Sequence, residues 1–215
     1  MIKATYVDHM GSDLTVANAA RVSFGKTSEM EDDPWGPPRL KEKDDKLIRY
    51  LAKHKHISPF GHCFASFHVK APIFVARQLV KHKFLRWNEI SRRYVDDEPE
   101  FYTPYAWRGR SADKKQGSDG VVNVGDWGSS GWAALKAYKD LLEHGVAPEQ
   151  ARMELPLSTM TEWYWSGSLF AFAKMCGLRL KDDTQYETRL VAQEIEDYMM
   201  DIYPNSWEAL RMYND

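Results

Sequence analysis

The stretch that most constrains the fold spans residues 71–103, where an apolar helical pattern runs into a dense cluster of ionisable and amide side chains. Residues 71–80 are apolar except at two positions and predict a helix, and Pro72 suits its first turn. Three cationic-type residues follow in a row: Lys81, His82 and Lys83. Because neighbours on a helix point about 100° apart, these three side chains share a face only if the helix ends there.

Polar side chains then crowd into positions 88–94: Asn88, Glu89, Ser91, Arg92, Arg93 and Tyr94. If this segment is extended, its period of two places Glu89, Ser91 and Arg93 on one side, as a site for a polar, anionic small molecule. The alternative is a solvated surface, in which Arg92 and Arg93 pair with the acids of 96–98 and the preceding cations complement a helix C-terminus. Spacing alone leaves both interpretations open.

Composition narrows the class of protein. The chain has 215 residues and a net charge of −2, so it can bury a sizeable core and does not resemble a nucleic-acid-coating or membrane-surface protein. It has neither a long apolar window nor a signal-peptide pattern, and we expect a cytoplasmic location. Cys63 and Cys176 are too few for a disulfide framework, lie in strand and helix patterns, and are expected to be structural.

Hydrophobic periodicity predicts an α+β fold, with helices packed on a small, mostly antiparallel sheet in a single domain over 1–215. The predicted strands are 1–6, 63–69 and 159–165. The predicted helices are 15–22, 40–54, 71–80, 132–144 closed by Gly145, a short one from Pro148, 168–176 closed by Gly177, and a long one that ends at Pro204. Thr184 and Glu187 form a capping-box pattern at the start of the long helix.

Two stretches are predicted to be loops. Residues 25–38 combine turn-forming and acidic side chains, which is typical of a surface loop. Residues 108–131 are of low complexity, and their composition favours a long exposed loop over a mobile lid.

The motif KHKFLRWNEISRRY (81–94) resembles the signature of the flavin-dependent thymidylate synthases, with Lys81 and Lys83 in place of two arginines. Further segments resemble the family in the same order, with a gap around 104–147: MGSDLTVANAARVSF (10–24), HISPFGH (56–62), FHVKAPIFVARQ (67–78), ARMELPL (151–157) and GLRLKDDTQYE (177–187). The resemblance covers nearly the whole chain.

The resemblance implies a transferase that methylates dUMP with methylenetetrahydrofolate, using FAD as hydride carrier and NADPH as reductant. It also implies small-molecule substrates and a homotetramer whose active sites draw residues from several subunits. The charge balance gives no sign of a nucleic-acid or membrane partner. A flavin route needs no cysteine nucleophile, in agreement with the settings of Cys63 and Cys176.

The resemblance also assigns residues. Arg179 is the expected catalytic residue, because a fixed positive charge stabilises negative charge that develops on uracil. The expected dUMP-binding residues are Gln78, Lys81, Glu89, Ser91, Arg92, Arg93, Arg152 and Arg179. The expected FAD-binding residues are Ser23, His56, Ser58, Lys81, His82, Lys83, Glu89, Ser168, Phe170 and Lys174. No metal is expected. Without the resemblance, Arg152 would pair with Glu149 or Glu154, and Arg179 with Asp182 or Asp183.

Several flavin-side positions depart from the family pattern. Lysine replaces arginine at 81 and 83, Arg86 stands where a small residue is usual, and Gly61 replaces an acid. Ser168, Phe170 and Lys174 replace side chains of other types. Lysine keeps the charge but lacks the planar fork of arginine. We therefore expect ordinary dUMP binding with weakened or altered FAD binding.

Two other functions fit parts of the sequence. His54, His56 and either His62 or His68 would give a zinc-dependent nucleotide hydrolase three ligands, without a carboxylate partner at a familiar spacing. KHKFLRW mixes basic and aromatic residues, as single-strand nucleic-acid binders do, without a wider basic stripe. Neither function explains the ordered family segments.

Overall fold

The computed structural model describes residues 1–113, 116–125 and 131–213. The strands are β1 (Lys3–Met10), β2 (Phe64–Pro72), β3 (Leu85–Glu89), β4 (Arg108–Gly109), β5 (Asp119–Val121) and β6 (Met160–Ser168). The helices are α1 (Asp13–Arg21), α2 (Glu42–Lys53), α3 (Ile73–Leu79), α4 (Gly131–Glu143), α5 (Pro148–Ala151), α6 (Leu169–Arg179), α7 (Tyr186–Ile202) and α8 (Pro204–Met212). Short 3₁₀ turns cover Val22–Phe24, Ser58–His62 and Arg152–Glu154.

The central sheet has four antiparallel strands in the order β1-β2-β6-β3. Its register places Phe67 opposite Trp165 and Val69 opposite Trp163, and all four side chains are buried. The alternate positions pair polar groups, such as Ser66 with Ser166, whose hydroxyls lie 2.8 Å apart. This alternation is the reason the sheet has one face for the core and one polar face.

Helices α6 and α7 supply much of the core on the apolar face. Phe172 of α6 packs edge-on against Phe67 and Trp165, with ring centroids 5.2 and 5.5 Å apart. Ile195 and Met199 of α7 are fully buried one turn apart. The predicted α+β class with a small antiparallel sheet is confirmed.

Strand β3 lies against β6 at a position that only glycine accommodates. Gly167 pairs with Leu85, and a Cβ at Gly167 would lie 2.8 Å from the carbonyl oxygen of Phe84. The close approach seats β3, and with it the middle of the 81–94 motif, at the edge of the sheet.

Most predicted elements are confirmed, including the strands, the loop at 25–38, and the helices at 15–22, 40–54 and 132–144. The helix predicted at 71–80 begins later, at Ile73, because residues 71–72 end β2 and Pro72 is the N-cap. Gly145 closes α4 with a φ of 80°, as expected. The predicted exposed loop at 108–131 instead contains the two-stranded β4-β5 hairpin in its described part, whereas 114–115 and 126–130 lie outside the described residues. Helix α8 was not predicted, although Pro204 occupies its first turn.

The predicted boundaries at Gly177 and at Thr184 are both wrong. Helix α6 continues past Gly177 to Arg179, and α7 begins after Gln185 without a capping side chain. The hydroxyl of Thr184 donates to the carbonyl oxygen of Leu178 at 3.1 Å. Thr184 therefore satisfies a carbonyl at the end of α6, where such groups lack a helical partner, instead of capping α7.

The extended conformation considered for 88–94 is also wrong beyond Glu89. The backbone N–H groups of Tyr94 and Val95 both donate to the carbonyl oxygen of Ser91, at 3.0 and 3.2 Å, and these bonds form a turn. None of the helices in the described ranges has the length and apolar composition needed to cross a bilayer. The extent of the single domain stays a prediction.

Candidate functional site

Helix α3 separates two grooves that contain the predicted nucleotide-binding residues. Phe74 and Gln78, one turn apart, line a groove of about 920 Å³ that we name the helical groove. Its other lining residues relevant here are Lys81, Tyr102, Arg179, Gln185 and Glu187. Arg77, on another face of α3, lines a second groove of about 860 Å³, the arginine groove, together with Glu89, Ser91, Arg92, Arg93 and Arg152.

Arg179 is held in the helical groove by two hydrogen bonds from its guanidinium. Nε donates to Nε2 of His82 at 2.9 Å, and Nη2 donates to the backbone carbonyl of Gln78 at 3.2 Å. The alternative that the sequence offered, an ion pair between Arg179 and Asp182 or Asp183, is not formed in the structure. Neither contact is with a carboxylate. The half-buried guanidinium therefore keeps its positive charge unneutralised at both of these contacts.

The bond to Arg179 requires His82 to be neutral at Nε2. Burial, and to a smaller extent the positive charge of Arg179, lower the pKa of His82 to about 4. Burial also lowers the pKa of Arg179 from its ordinary value. A neutral imidazole with its proton on Nδ1 therefore accepts the guanidinium N–H at physiological pH.

In the arginine groove, the Glu89 carboxylate is held by one residue of its own strand, β3, and one of the neighbouring strand, β6. Its Oε1 accepts from the Thr161 hydroxyl at 2.7 Å, and its Oε2 accepts from Nε1 of Trp87 at 3.0 Å. Trp87 in turn stacks on Trp163, with centroids 4.3 Å apart. A carboxylate held at both oxygens gives this groove a rigid acidic wall.

The arginines of this groove differ in whether a carboxylate already pairs with the guanidinium. Arg92 donates to both the backbone and the carboxylate of Asp97, so the surface-pair alternative holds for this residue. Nε of Arg93 donates to Oγ of Ser91 at 3.3 Å, and its guanidinium carbon lies 4.9 Å from the Tyr94 ring centroid. Arg152 is exposed and donates to the backbone carbonyl of Glu149 at 3.2 Å, not to its carboxylate.

The lysine groove, of about 620 Å³, contains much of the predicted flavin side. It is lined by His82, Lys83, Phe84, Phe170, Lys174 and Lys181, among others. Nζ of Lys174 lies 5.6 Å from the Phe170 ring centroid. Phe84 adopts a φ of 64°, rare for a bulky residue, and is 83% exposed. The groove thus combines three ammonium groups with two aromatic rings.

The histidine groove, of about 790 Å³, contains Ser23, His56 and Ser58. The ring of His56 lies 6.1 Å from Tyr50. Ile57 lines both this groove and the lysine groove, and Leu178 lines both the lysine and helical grooves. Among the predicted cofactor residues, Ser168 lines none of these four grooves, because its Oγ caps α6 by accepting from the N–H of Ala171 at 3.3 Å.

The two cysteines are unsuited to nucleophilic chemistry. Both are buried, and Cys63 donates to the carbonyl oxygen of Ser12. Burial and the neighbouring Asp13 raise the pKa of Cys63 to about 11, and burial raises the pKa of Cys176 well above its ordinary value. In the described residues, no three His, Cys, Asp or Glu side chains form a potential metal site, and the zinc alternative has no support there.

Sequence reasoning missed several residues of the helical groove: Tyr102, Trp107, Arg108, Gln185 and Glu187. Tyr102 and the hairpin residues lie at the edge of, or in, the stretch without family resemblance. Gln185 and Glu187 lie in a family-like segment, but the capping-box interpretation gave Glu187 a local role only.

The fold and the site define a class of α+β protein with cationic grooves of nucleotide size and no available thiol. Residues 5–205 match the family model described as thymidylate synthase complementing protein. Curated flavin-dependent thymidylate synthases are similar: one from Thermus thermophilus is 40% identical over 94% of this chain and 73% of its own length, and that of Thermosipho africanus is 38% identical over 94% and 88%.

A solved structure is similar over nearly the full length. The UMP/dUMP methylase PolB from Streptomyces cacaoi, bound with 5-Br dUMP, superposes with a TM-score of 0.85 at 30% identity, over 99% of this chain and 96% of that one. The chain belongs to the thymidylate synthase complementing protein family, that of the flavin-dependent thymidylate synthases.

Proposed function

We propose that the protein is a thymidylate synthase that transfers the methylene group of methylenetetrahydrofolate to dUMP and reduces it, with FAD as hydride carrier and NADPH as reductant. The observation that carries this proposal is the Arg179 guanidinium, which neutral His82 and the Gln78 carbonyl orient in the helical groove. The family membership and the dUMP analogue in the similar PolB structure support it.

Arg179 acts on the base in this proposal. Its cation lies in a partly buried groove, where charge interactions are stronger than in water. It stabilises the negative charge that develops on the uracil ring, and its preset orientation removes the need to reorganise during the reaction. Gln78 and Lys81 line the same groove and contact the nucleotide.

Arg93 and Arg152 bind the nucleotide phosphate, for which planar guanidinium groups are well suited. Ser91 orients Arg93 through their hydrogen bond and does not act as a nucleophile. Arg92, already paired with Asp97, contributes less positive charge to a ligand than Arg93 does.

The base-binding and phosphate-binding residues line different grooves of one chain. We infer that a complete dUMP site forms when the arginine groove of one subunit faces the helical groove of another, in a homotetramer. Closed symmetric assemblies make such shared sites equivalent.

The lysine and histidine grooves suit FAD. Lys83, Lys174 and Lys181 offer positive charge to a pyrophosphate, while Phe84, Phe170 and His56 offer rings to planar groups. Leu178 lines both the helical and the lysine groove, and Ile57 lines both the lysine and the histidine groove, so an extended cofactor would occupy these connected grooves together. When bound, FAD supplies the hydride that reduces the transferred methylene group.

The test is product formation by protein reconstituted with FAD and supplied with dUMP, methylenetetrahydrofolate and NADPH. We expect dTMP by mass spectrometry and bleaching of the flavin absorption by NADPH. UMP is assayed in parallel, because the similar PolB is described as a UMP/dUMP methylase. Flavin-loaded protein that forms no dTMP would refute the proposal, whether or not it methylates UMP.

Arg179→Ala tests the assigned catalytic residue. We expect kcat to fall about a hundredfold or more, with flavin retained, because one positioned electrostatic group is removed. The matched control is Arg39→Ala, which removes an exposed arginine paired with Glu31. Wild-type turnover by Arg179→Ala would contradict the assignment.

A further inference from the structure

We infer that Glu187, acting through Gln185, fixes the orientation of the Gln78 side-chain amide and thereby makes the helical groove select uracil over cytosine nucleotides. This inference rests on the proposed function, in which Gln78 contacts the base. Glu187 and Gln185 are positioning residues in it, and Gln78 reads the base.

An unbroken chain of hydrogen bonds links three residues that line the helical groove to a buried threonine. The hydroxyl of Thr188, which is fully buried, donates to Oε1 of Gln78 at 3.2 Å. Nε2 of Gln78 donates to Oε1 of Gln185, and Nε2 of Gln185 donates to Oε2 of Glu187 at 3.1 Å.

The direction of this chain is set at one end. A carboxylate accepts hydrogen bonds and donates none, so Gln185 must turn its NH₂ group toward Glu187. Its carbonyl oxygen then faces Gln78, and Gln78 must present Nε2 to Gln185 and Oε1 to Thr188. The Thr188 hydroxyl can donate or accept and imposes no direction. Within this hydrogen-bonded set, Glu187 is the member of fixed polarity and therefore decides which way the Gln78 amide points.

Tyr102 contacts the second carboxylate oxygen of Glu187. Its hydroxyl donates to Oε1 of Glu187 at 3.5 Å. Burial and the negative charge of Glu187 raise the pKa of Tyr102 to about 12, which keeps this hydroxyl a donor at neutral pH. Both carboxylate oxygens thus have a donor partner, with the Gln185 contact the shorter of the two.

A fixed amide distinguishes the two pyrimidines by their edges. Uracil presents a carbonyl oxygen beside N3–H, whereas cytosine presents an amino group beside a bare N3. An amide that is free to flip matches either pattern, by exchanging its donor and acceptor. An amide held in one sense matches one pattern and leaves the other with unpaired polar groups, which costs binding free energy.

The experiment measures the ratio of the dissociation constants of dCMP and dUMP by calorimetry on the FAD-loaded full-length protein. We expect wild type to prefer dUMP. Glu187→Gln replaces the fixed acceptor by an amide that either donates or accepts, and should lower the ratio about tenfold, which corresponds to about 1.4 kcal/mol. Gln185→Met, which interrupts the chain of hydrogen bonds without changing Glu187, should lower the ratio similarly. It provides the test if Glu187→Gln does not fold.

The exchange Gln185→Glu with Glu187→Gln is the sharpest variant, because it preserves the net charge. It places the fixed acceptor directly beside Nε2 of Gln78, and we expect the wild-type ratio to return. The matched control is Asp201→Asn, which removes a carboxylate from an exposed position of the same helix and should leave the ratio unchanged.

Two results would overturn the inference: a wild-type ratio in both Glu187→Gln and Gln185→Met, or an exchange variant no more selective than Glu187→Gln. A wild-type protein that binds neither nucleotide would instead count against the proposed function. The two failures are therefore distinguishable within one set of titrations.

Discussion

The hydrogen bond between Arg179 and His82 exists only while His82 is neutral, and this makes one contact of the site sensitive to acid. A protonated imidazole has no lone pair for the guanidinium N–H and would repel it. The lowered pKa of His82, about 4, keeps the contact intact across physiological pH.

This contact predicts how stability depends on pH. The ordinary pKa of histidine is 6.5, and that of His82 in the folded protein is about 4, so between these values the unfolded chain binds a proton that the folded protein does not. Stability should therefore fall as the pH is lowered through this window, by about 1–2 kcal/mol after allowance for solvent screening. Urea unfolding of wild type and of His82→Gln, which does not titrate, measures the difference. If the free energy of unfolding depended on pH equally in the two proteins between about pH 4 and 6.5, the prediction would be contradicted.

Lys83 offers a second test at this scale. The departures from the family pattern predict weakened FAD binding, and the structure places Lys83 in the lysine groove. Lys83→Arg restores a planar, forked donor and should tighten FAD binding about fivefold. Quenching of flavin fluorescence on titration measures this affinity, with Lys136→Arg on the exposed face of α4 as control. An unchanged or weaker FAD affinity in Lys83→Arg would show that lysine binds FAD at least as well as arginine at position 83.

Sequence reasoning reached individual candidate residues more readily than the contacts they make. The family resemblance singled out Gln78, Arg93, Arg152 and Arg179, and each lines a nucleotide-sized groove. The contact between Arg179 and His82 joins residues 97 positions apart, so no local pattern could reveal it. The role of the four singled-out residues in dUMP binding stays a prediction.

The β4-β5 hairpin forms part of the wall of the helical groove. It contributes Trp107, Arg108 and Gly117 to the groove, and Arg108 lies over the ring of Tyr186, 4.9 Å from its centroid. Gly117 packs so tightly that a Cβ there would lie 2.9 Å from the carbonyl oxygen of Asp183. The hairpin therefore forms a wall docked on the connection between α6 and α7.

Gly117→Ala should displace this wall. The residue has a φ of 82°, and the added methyl group meets the Asp183 backbone, so we expect dUMP affinity to fall about tenfold. Gly120→Ala is the matched control, because its φ of 57° carries a similar backbone penalty with open space around the new Cβ. Calorimetric titration with dUMP compares them, and equal losses would mean that strain, not docking, causes the effect.

At the level of elements, periodicity predicted the long helices and buried strands and failed at their ends. Residues 177–187 carry both a helix-stop glycine and a capping-box pattern, yet α6 continues through Gly177. Thr184 can satisfy either helix locally, and tertiary packing gives its hydroxyl to Leu178. The hairpin lacked the strong alternation that would separate strands from loop.

The division of the dUMP site between two grooves makes a prediction for the whole molecule. Arg179→Ala and Arg93→Ala should each lower dTMP formation about a hundredfold or more, because each removes an arginine from one of the two halves of every site. Mixed and reassembled together, they should regain about a quarter of wild-type activity, since random pairing joins two intact halves in one site out of four. No recovery after verified subunit exchange would show that each chain provides both halves itself.

The assembly is the part of the molecule that sequence reasoning reached only through resemblance. Intrachain patterns predict which faces become buried within one chain, and α3 satisfies its own pattern with Val75, Ala76 and Leu79 buried. Its two exposed flanks line separate grooves and carry no signal of which copy lies opposite. The homotetramer therefore stays a proposal with a direct test.

The stacked indoles of Trp87 and Trp163 give the molecule an optical signal of its own. Their planes differ by 18°, and Trp87 also donates its N–H to Glu89 in the arginine groove. Transition dipoles held at such short range couple and produce a paired band in far-ultraviolet circular dichroism. Since Trp87 belongs to β3 and Trp163 to β6, loss of that band would report that the motif-bearing strand has left the sheet, without any added label.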